Sequence, residues 1–240
     1  MGWRSRVVVL VALTAARVKG EEKEKFSPVE YVNILTGSFT KGDVFSTGNT
    51  MPLVGRPWGF NHWALQTNDG MSSWWFNGND HEFRWIRCTH QPSPWIGDYG
   101  WFFVGPQMGP FTTKPTGFFE PRGAYLKPHL MDFHTAPDGM RVELAPTMHG
   151  AALRVTFPAA QTQHEKRVCF RLGGGGGDGF TQGGGTTARF KTNRNSGGAP
   201  AFDHHAFVDA VRAGWEKGDS TSLQHGCVFE AISERQASTL

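Results

Sequence analysis

"MRVELAPTMHGAALRVTFP", Met140 to Pro158, decides the fold class. Two runs, Met140–Pro146 and Ala151–Pro158, alternate apolar and polar residues, and "TMHG" between them has the composition of a turn. Alternation with a period of two places one set of side chains on one face of a strand, so this segment predicts a hairpin. Similar runs flank it: "WGFNHWALQT" (Trp58–Thr67), "HEFRWIRCT" (His81–Thr89), "DYGWFFVGP" (Asp98–Pro106) and "RVCFRLG" (Arg167–Gly173). They are aromatic or alternating, bounded by Gly, Pro or Asn, and recur about every ten residues, the pattern of an antiparallel sandwich. Prolines closing several runs agree, because Pro is tolerated at strand ends and edges.

Composition points the same way. The 240 residues include 31 Gly and 14 Pro, with 19 Phe and 9 Trp against 3 Tyr, and only 19% are charged. Turns and aromatic strands therefore dominate. The net charge of +3 is spread along the chain, which argues against a nucleic-acid-binding face. At the N-terminus, Arg4 and Arg6 precede an apolar run, Val7–Leu13, and small residues, the layout of a secretory signal peptide cleaved after Ala16 or Gly20. That run is too short to span a bilayer as a helix. Cys88, Cys169 and Cys227 permit one disulfide plus one thiol, or three buried thiols, and their spacing does not choose. "GGGGGDGF" (Gly173–Phe180) lacks the Lys, Ser/Thr and following helix of a phosphate loop, so a hairpin loop is expected before the strand-like "TTARFKT". Residues Phe202–Trp215 fit a short helix, with Phe207, Val211 and Trp215 at helical spacing, and fit a strand equally. The residues after Gly218 have no clear period. The expected organisation is a signal over residues 1–20, a charged linker over 21–30, a sandwich domain over 31–215 and a tail over 216–240.

"THQPSPWIGDYG", Thr89 to Gly100, combines two prolines with a Trp, a His and an Asp. Upstream lie "YVNILTGS" (Tyr31–Ser38) and "STGNTMPLVGRPWGFNHWALQT" (Ser46–Thr67). In this order the three segments resemble the N-terminal domain of glycoside hydrolase family 92, the calcium-dependent, inverting exo-α-mannosidases. "LAPTMHGAALRVTFP" (Leu144–Pro158) resembles that family's later strand pair. Phe60 stands where the family has Met after Pro-Trp-Gly, and Ser38 where Thr is usual. The resemblance covers residues 31–175 and implies a supersandwich-like, all-β fold with long Gly/Pro-rich loops behind the signal helix. It also implies a second, (α/α)-barrel domain carrying the glutamate general acid, the water-activating aspartates and most calcium ligands, which is expected beyond this chain.

Sugar recognition needs a flat apolar face and polar groups beside it. Trp95, between Pro92 and Pro94 on one side and Gly97 on the other, offers the platform, and His90, Gln91 and Asp98 offer donors and acceptors. The resemblance implies that this block faces the cleft between the domains, with Asn49 also contacting substrate and Asn33 near the calcium. Each residue has a structural alternative: Trp95 as core, Asp98 capping its own turn, Asn49 in a left-handed turn. Asp80, Glu82, Asp98, Glu120 and Asp132 include no pair that the resemblance supports as acid and base, which an inverting enzyme holds about 6.5–9.5 Å apart. Ser93, between prolines, lacks a nucleophile-elbow pattern. Asp203, His204 and His205 do not make a metal site, since adjacent strand residues point to opposite faces. The leading expectation is the N-terminal domain of a secreted α-mannosidase, acting on a mannose-containing glycan with its catalytic domain and inactive alone. The alternative is a stand-alone carbohydrate-binding module.

Overall fold

The computed structural model describes residues 26–39, 50–67, 75–89, 102–112, 115, 117–158, 166–172, 179–182, 187–192, 204–209, 215–220 and 223–229. Apart from one short 3₁₀ helix, Pro28–Tyr31, the regular elements among them are all strands. Seven form one sheet: β1 (Leu53–Val54), β2 (His62–Gln66), β4 (Trp85–Thr89), β5 (Phe102–Met108), β11 (Lys166–Leu172), β15 (Trp215–Ser220) and β16 (Leu223–Phe229), in the order β1-β2-β4-β5-β11-β16-β15. Every neighbouring pair in it is antiparallel. A four-stranded sheet runs β10-β9-β8-β7, from β7 (Tyr125–Lys127), β8 (Leu130–His134), β9 (Arg141–Pro146) and β10 (Ala151–Thr156). β12 (Gly179–Gln182), β13 (Thr187–Thr192) and β14 (His204–Asp209) make a third sheet, and β3 (Glu82–Phe83) pairs with β6 (Gly117–Phe118).

The alternation in the opening stretch is realised as β9 and β10, paired from Arg141↔Thr156 to Pro146↔Ala151. The Thr147 amide donates to the Gly150 carbonyl at 2.8 Å and closes the turn between them. Glu143 breaks the simple alternation because it is buried, and its carboxylate accepts both Nε (2.6 Å) and Nη2 of Arg154 from the neighbouring strand. A buried charge is tolerated when it is paired and hydrogen-bonded.

One face of the large sheet presents Trp63, Leu65, Ile86, Cys88, Phe102, Val104, Phe170 and Leu172. These pack in a single cluster with Leu126, Met131, Phe133, Val142 and Leu144 of the four-stranded sheet and with Ala188 and Phe190 of β13. The sandwich core thus lies between the large sheet and the two smaller ones. Its aromatic packing is dense: Phe133 meets Phe83 at 5.0 Å and Phe119 at 5.3 Å between ring centroids. The opposite face carries a second, mixed cluster of Trp85, Phe103, Cys169 and Cys227. Across it the guanidinium of Arg87 lies 3.9 Å from the Trp75 ring and 4.2 Å from the Phe103 ring, while its Nε donates to Gln66 Oε1 at 2.9 Å. Arg171 covers the other side of that arrangement, 4.4 Å from the Phe103 ring. Ring faces and one amide oxygen thereby take over part of the hydration that the buried Arg87 and the half-buried Arg171 give up.

The cysteine alternatives resolve here. Cys169 and Cys227 are opposite residues of β11 and β16 and form a disulfide, and Cys88 is a buried thiol in the main core. Of the two readings for Phe202–Trp215, strand wins: β14 pairs with β13 from Thr187↔Asp209 to Thr192↔His204, and Trp215 opens β15. The tail without a visible period supplies β16, between β11 and β15 in the large sheet. The signal segment lies outside the described residues, among which no helix is long and apolar enough to cross a membrane.

Candidate functional site

One end of the large sheet carries the strand ends that flank two of the sequence motifs. His62, first residue of β2, pairs with Thr89, last of β4. Phe102, first of β5, pairs with Leu172, last of β11, and lies beside Cys88. Antiparallel order therefore attaches the Pro57–Asn61 segment, both ends of the Thr89–Gly100 block and the start of the glycine tract to the same end. Thr89 itself is buried. His90, Gln91, Trp95 and Asp98 lie outside the described residues, as does Asn49.

The segment before β2 is built as a tight turn. Gly59 N–H donates to Arg56 O at 2.8 Å, placing Pro57 and Trp58 at its two central positions. Pro fixes the first, but Trp58 has φ 62°, in the left-handed region. The second central position of such a turn usually holds Gly or Asn, and a left-handed residue with a side chain costs about 1–2 kcal/mol. The Trp58 ring is 94% exposed, so core packing does not offset that cost. Three hydrogen bonds then tie the segment to the β9–β10 turn: Phe60 N to Met148 O (2.7 Å), Asn61 Nδ2 to His149 O (2.6 Å) and Trp63 Nε1 to Gly150 O (3.2 Å). Phe60 and Met148 are 54% and 43% exposed, and the His149 ring lies 6.2 Å from that of Phe60. The turn that presents Trp58 is thus pinned to the β9–β10 turn of the other sheet. Sequence reasoning noted Trp58 and Phe60 only as parts of a family motif. The available signal was a Trp in an Arg-Pro-Trp-Gly turn where a small residue fits better.

Asn33 lies in a groove of about 390 Å³ shared with Glu30, Tyr31, Arg122, Tyr125 and Lys127. Its Oδ1 accepts the Leu35 amide at 3.0 Å, a local turn that shapes "YVNILTGS". Ser38 continues the turn by donating its hydroxyl to Leu35 O at 2.7 Å. Tyr125 Oη donates to Glu30 Oε1 at 2.7 Å, and Lys127 Nζ donates to the Glu30 carbonyl, 3.8 Å from the carboxylate. The bond to Glu30 raises the pKa of Tyr125, with slight desolvation and the negative charge adding to it. A calcium ion takes about six to eight oxygen ligands. This groove offers Asn33 Oδ1, already an acceptor, and a carboxylate held by the Tyr125 phenol beside the Lys127 ammonium, with Arg122 as added positive charge. The described residues therefore do not make a calcium centre around Asn33. Nor do they contain any group of three or more His, Cys, Asp or Glu side chains able to hold a metal.

Five other carboxylates serve local structure. Asp132 takes two bonds from Arg141 (3.0 and 2.7 Å), which hold its carboxyl below the usual range despite partial burial. Arg154, with Arg141 beside it, lowers that of Glu143 in the same way. Glu82 pairs with Arg84 at 2.7 Å, Glu120 with His81 at 3.2 Å, and Asp80 accepts from Thr67 Oγ1 at 3.2 Å.

Comparison with known proteins agrees with this architecture. The model of the glycosyl hydrolase family 92 N-terminal domain matches residues 31–207. Among solved structures, an inverting mannosidase of family GH92 from Bacteroides thetaiotaomicron is 27% identical, with a TM-score of 0.67 over 87% of this chain and 32% of its own. A second family GH92 α-mannosidase from that bacterium is 12% identical, with a TM-score of 0.63 over 86% of this chain and 32% of its own. The chain thus spans about a third of the length of these relatives. No curated protein matches. Both the matched segment and the sandwich built on it lead to one conclusion: the chain belongs to glycosyl hydrolase family 92, through that family's N-terminal domain.

Proposed function

We propose that this chain is the N-terminal part of a secreted α-mannosidase, contributing sugar contacts to a cleft that a catalytic (α/α)-barrel domain completes. The observation that carries the proposal is the match to a family 92 N-terminal domain over residues 31–207, with an inverting mannosidase as a 27%-identical structural relative. The convergence of the motif ends at one end of the large sheet supports a shared binding face there. In this reading Trp95 stacks on the sugar, His90, Gln91 and Asp98 bond its hydroxyls, and Asn49 adds a further polar contact. Asn33 enters as a calcium ligand only alongside oxygen donors from outside the described residues. The Cys169–Cys227 disulfide supports passage through an oxidising compartment, where such bonds persist.

Hydrolysis with inversion needs an acid and a base carboxylate facing each other across the sugar. Glu30, Asp80, Glu82, Glu120, Asp132 and Glu143 are engaged in local ion pairs and hydrogen bonds, and in this reading the chain binds and orients while the second domain transfers protons. Purified chain incubated with an α-mannoside and calcium is expected to release no mannose. Release that EDTA abolishes would overturn the division of labour.

A further inference from the structure

We propose that β10 is a self-association edge, at which two copies of this chain pair β10 to β10, antiparallel across a twofold axis, with Leu153 opposite Leu153. This pairing is independent of the proposed function. β10 ends the four-stranded sheet, and among the described residues no strand lies on its outer side. The ladder fixes which of its main-chain groups face outward. Thr147 N–H donates to Gly150 O, and bonded and nonbonded pairs alternate from there. Ala152, Arg154 and Thr156 therefore exchange bonds with β9, while the amides and carbonyls of Ala151, Leu153 and Val155 point away from it. Pro146, which has no amide hydrogen, falls opposite Ala151 in a nonbonded position, as this count requires. The side chains of Ala151, Leu153 and Val155 face the core but are only half-buried, so apolar surface is open along the same edge. Charge is a common guard of such edges. Arg154 is the one charged residue of β10, and Glu143 of β9 holds its guanidinium, which leaves the edge without an unpaired charge.

The sequence of β10 selects a second copy as the occupant. Antiparallel pairing centred on Leu153 sets Ala151 opposite Val155 and Ala152 opposite Arg154. Each residue with outward main-chain groups then meets another of the same kind, and each such pair exchanges both its N–H···O bonds. On the core side the half-buried apolar side chains cover one another. On the outer side Arg154 meets the small, neutral Ala152 and keeps its bonds to Glu143. Centring the axis on Arg154 instead would set like charges directly opposite each other, which is destabilising. Centring it on Ala152 would run the pairing into the β9–β10 turn.

Sedimentation of the full chain over a concentration series tests this pairing. A short strand makes a small interface, so a reversible dimer with a dissociation constant on the order of 100 µM is expected. Ala152 is exposed and faces Arg154 of the other copy on both sides of the axis. Ala152→Glu should tighten the dimer about three- to tenfold, and Ala152→Lys should loosen it by as much. Thermal unfolding of the dilute chain should stay unchanged in both. Cysteines then test the register. Under oxidation Leu153→Cys should give a disulfide-linked dimer, because the residue meets its own copy at about 5.5 Å between Cα atoms. Ala152→Cys should not, because its counterpart lies two residues along the other strand. A chain that stays monomeric up to about 1 mM would leave the edge to a strand of a different chain or domain and overturn the proposal. A dimer indifferent to both charge substitutions, or cross-linked through Ala152→Cys in preference to Leu153→Cys, would overturn it as well.

Discussion

The Cys169–Cys227 bond gives the most quantitative prediction. It links residues 58 apart in sequence and joins β11, which lies in the middle of the large sheet, to β16. Without it, β16 and β15 are held by the backbone ladder and their packing. Closing a loop of that length removes about 14 cal/mol/K of entropy from the unfolded chain, or roughly 4 kcal/mol at 25 °C. Most domains are stable by only about 5–15 kcal/mol, so the loss would be a large share of the total. Cys227→Ser should therefore lower the urea midpoint by about 2 M, taking a slope near 2 kcal/mol/M, followed through tryptophan fluorescence. Reducing agent should do the same to the unaltered chain and nothing further to the variant. In denaturant without reductant, the unaltered chain should expose a single reactive thiol, that of Cys88. An unchanged midpoint, or three reactive thiols, would refute the pairing and with it the placement of β16 beside β11.

Other outcomes follow from single sites. Phe133→Ala, which empties a position between Phe83 and Phe119, should cost about 3–5 kcal/mol in the same urea assay. Trp58→Gly should leave stability unchanged or raise it by up to about 1 kcal/mol, since relief of the left-handed strain offsets the extra entropy of Gly. A loss beyond about 1 kcal/mol would mean the ring is packed rather than presented. Asp132 and Glu143 have lowered carboxyl pKa values, so their stabilisation is complete above the ordinary carboxylate range, near about pH 4, and is lost as pH falls through their folded values. Thermal unfolding across acid pH should show that decline, and Asp132→Asn should make it shallower.

Strands whose own sequence carries the period were readable in advance. β9 and β10 alternate because one face packs on the core, and β4 follows the same rule with two different faces. Ile86 and Cys88 enter the main cluster, while Trp85 and Arg87 enter the ring-and-guanidinium layer. That layer went unnoticed because a buried Arg is recognisable only once its covering rings are in place. β14 and β16 were hidden for another reason. Phe207, Val211 and Trp215 do recur at helical spacing, but the open edge of β13 and the ladder of β11 offer pairing partners that local pattern does not reveal. The disulfide depended on that same long-range register. In the candidate site, the motifs were visible as composition and order. Their meeting at one sheet end came only from pairing, and the left-handed Trp58 only from the turn's geometry.

The central claim, that this domain offers a sugar-contacting surface centred on the Thr89–Gly100 block, is tested most directly by ligand-observed NMR. Methyl α-mannoside is titrated against the full chain and against Trp95→Ala. Weak, saturable binding with a Kd on the order of 1 mM is expected for the unaltered chain, and its loss in the variant with unfolding unchanged. Absence of binding to the unaltered chain, or equal binding to both, would contradict the account.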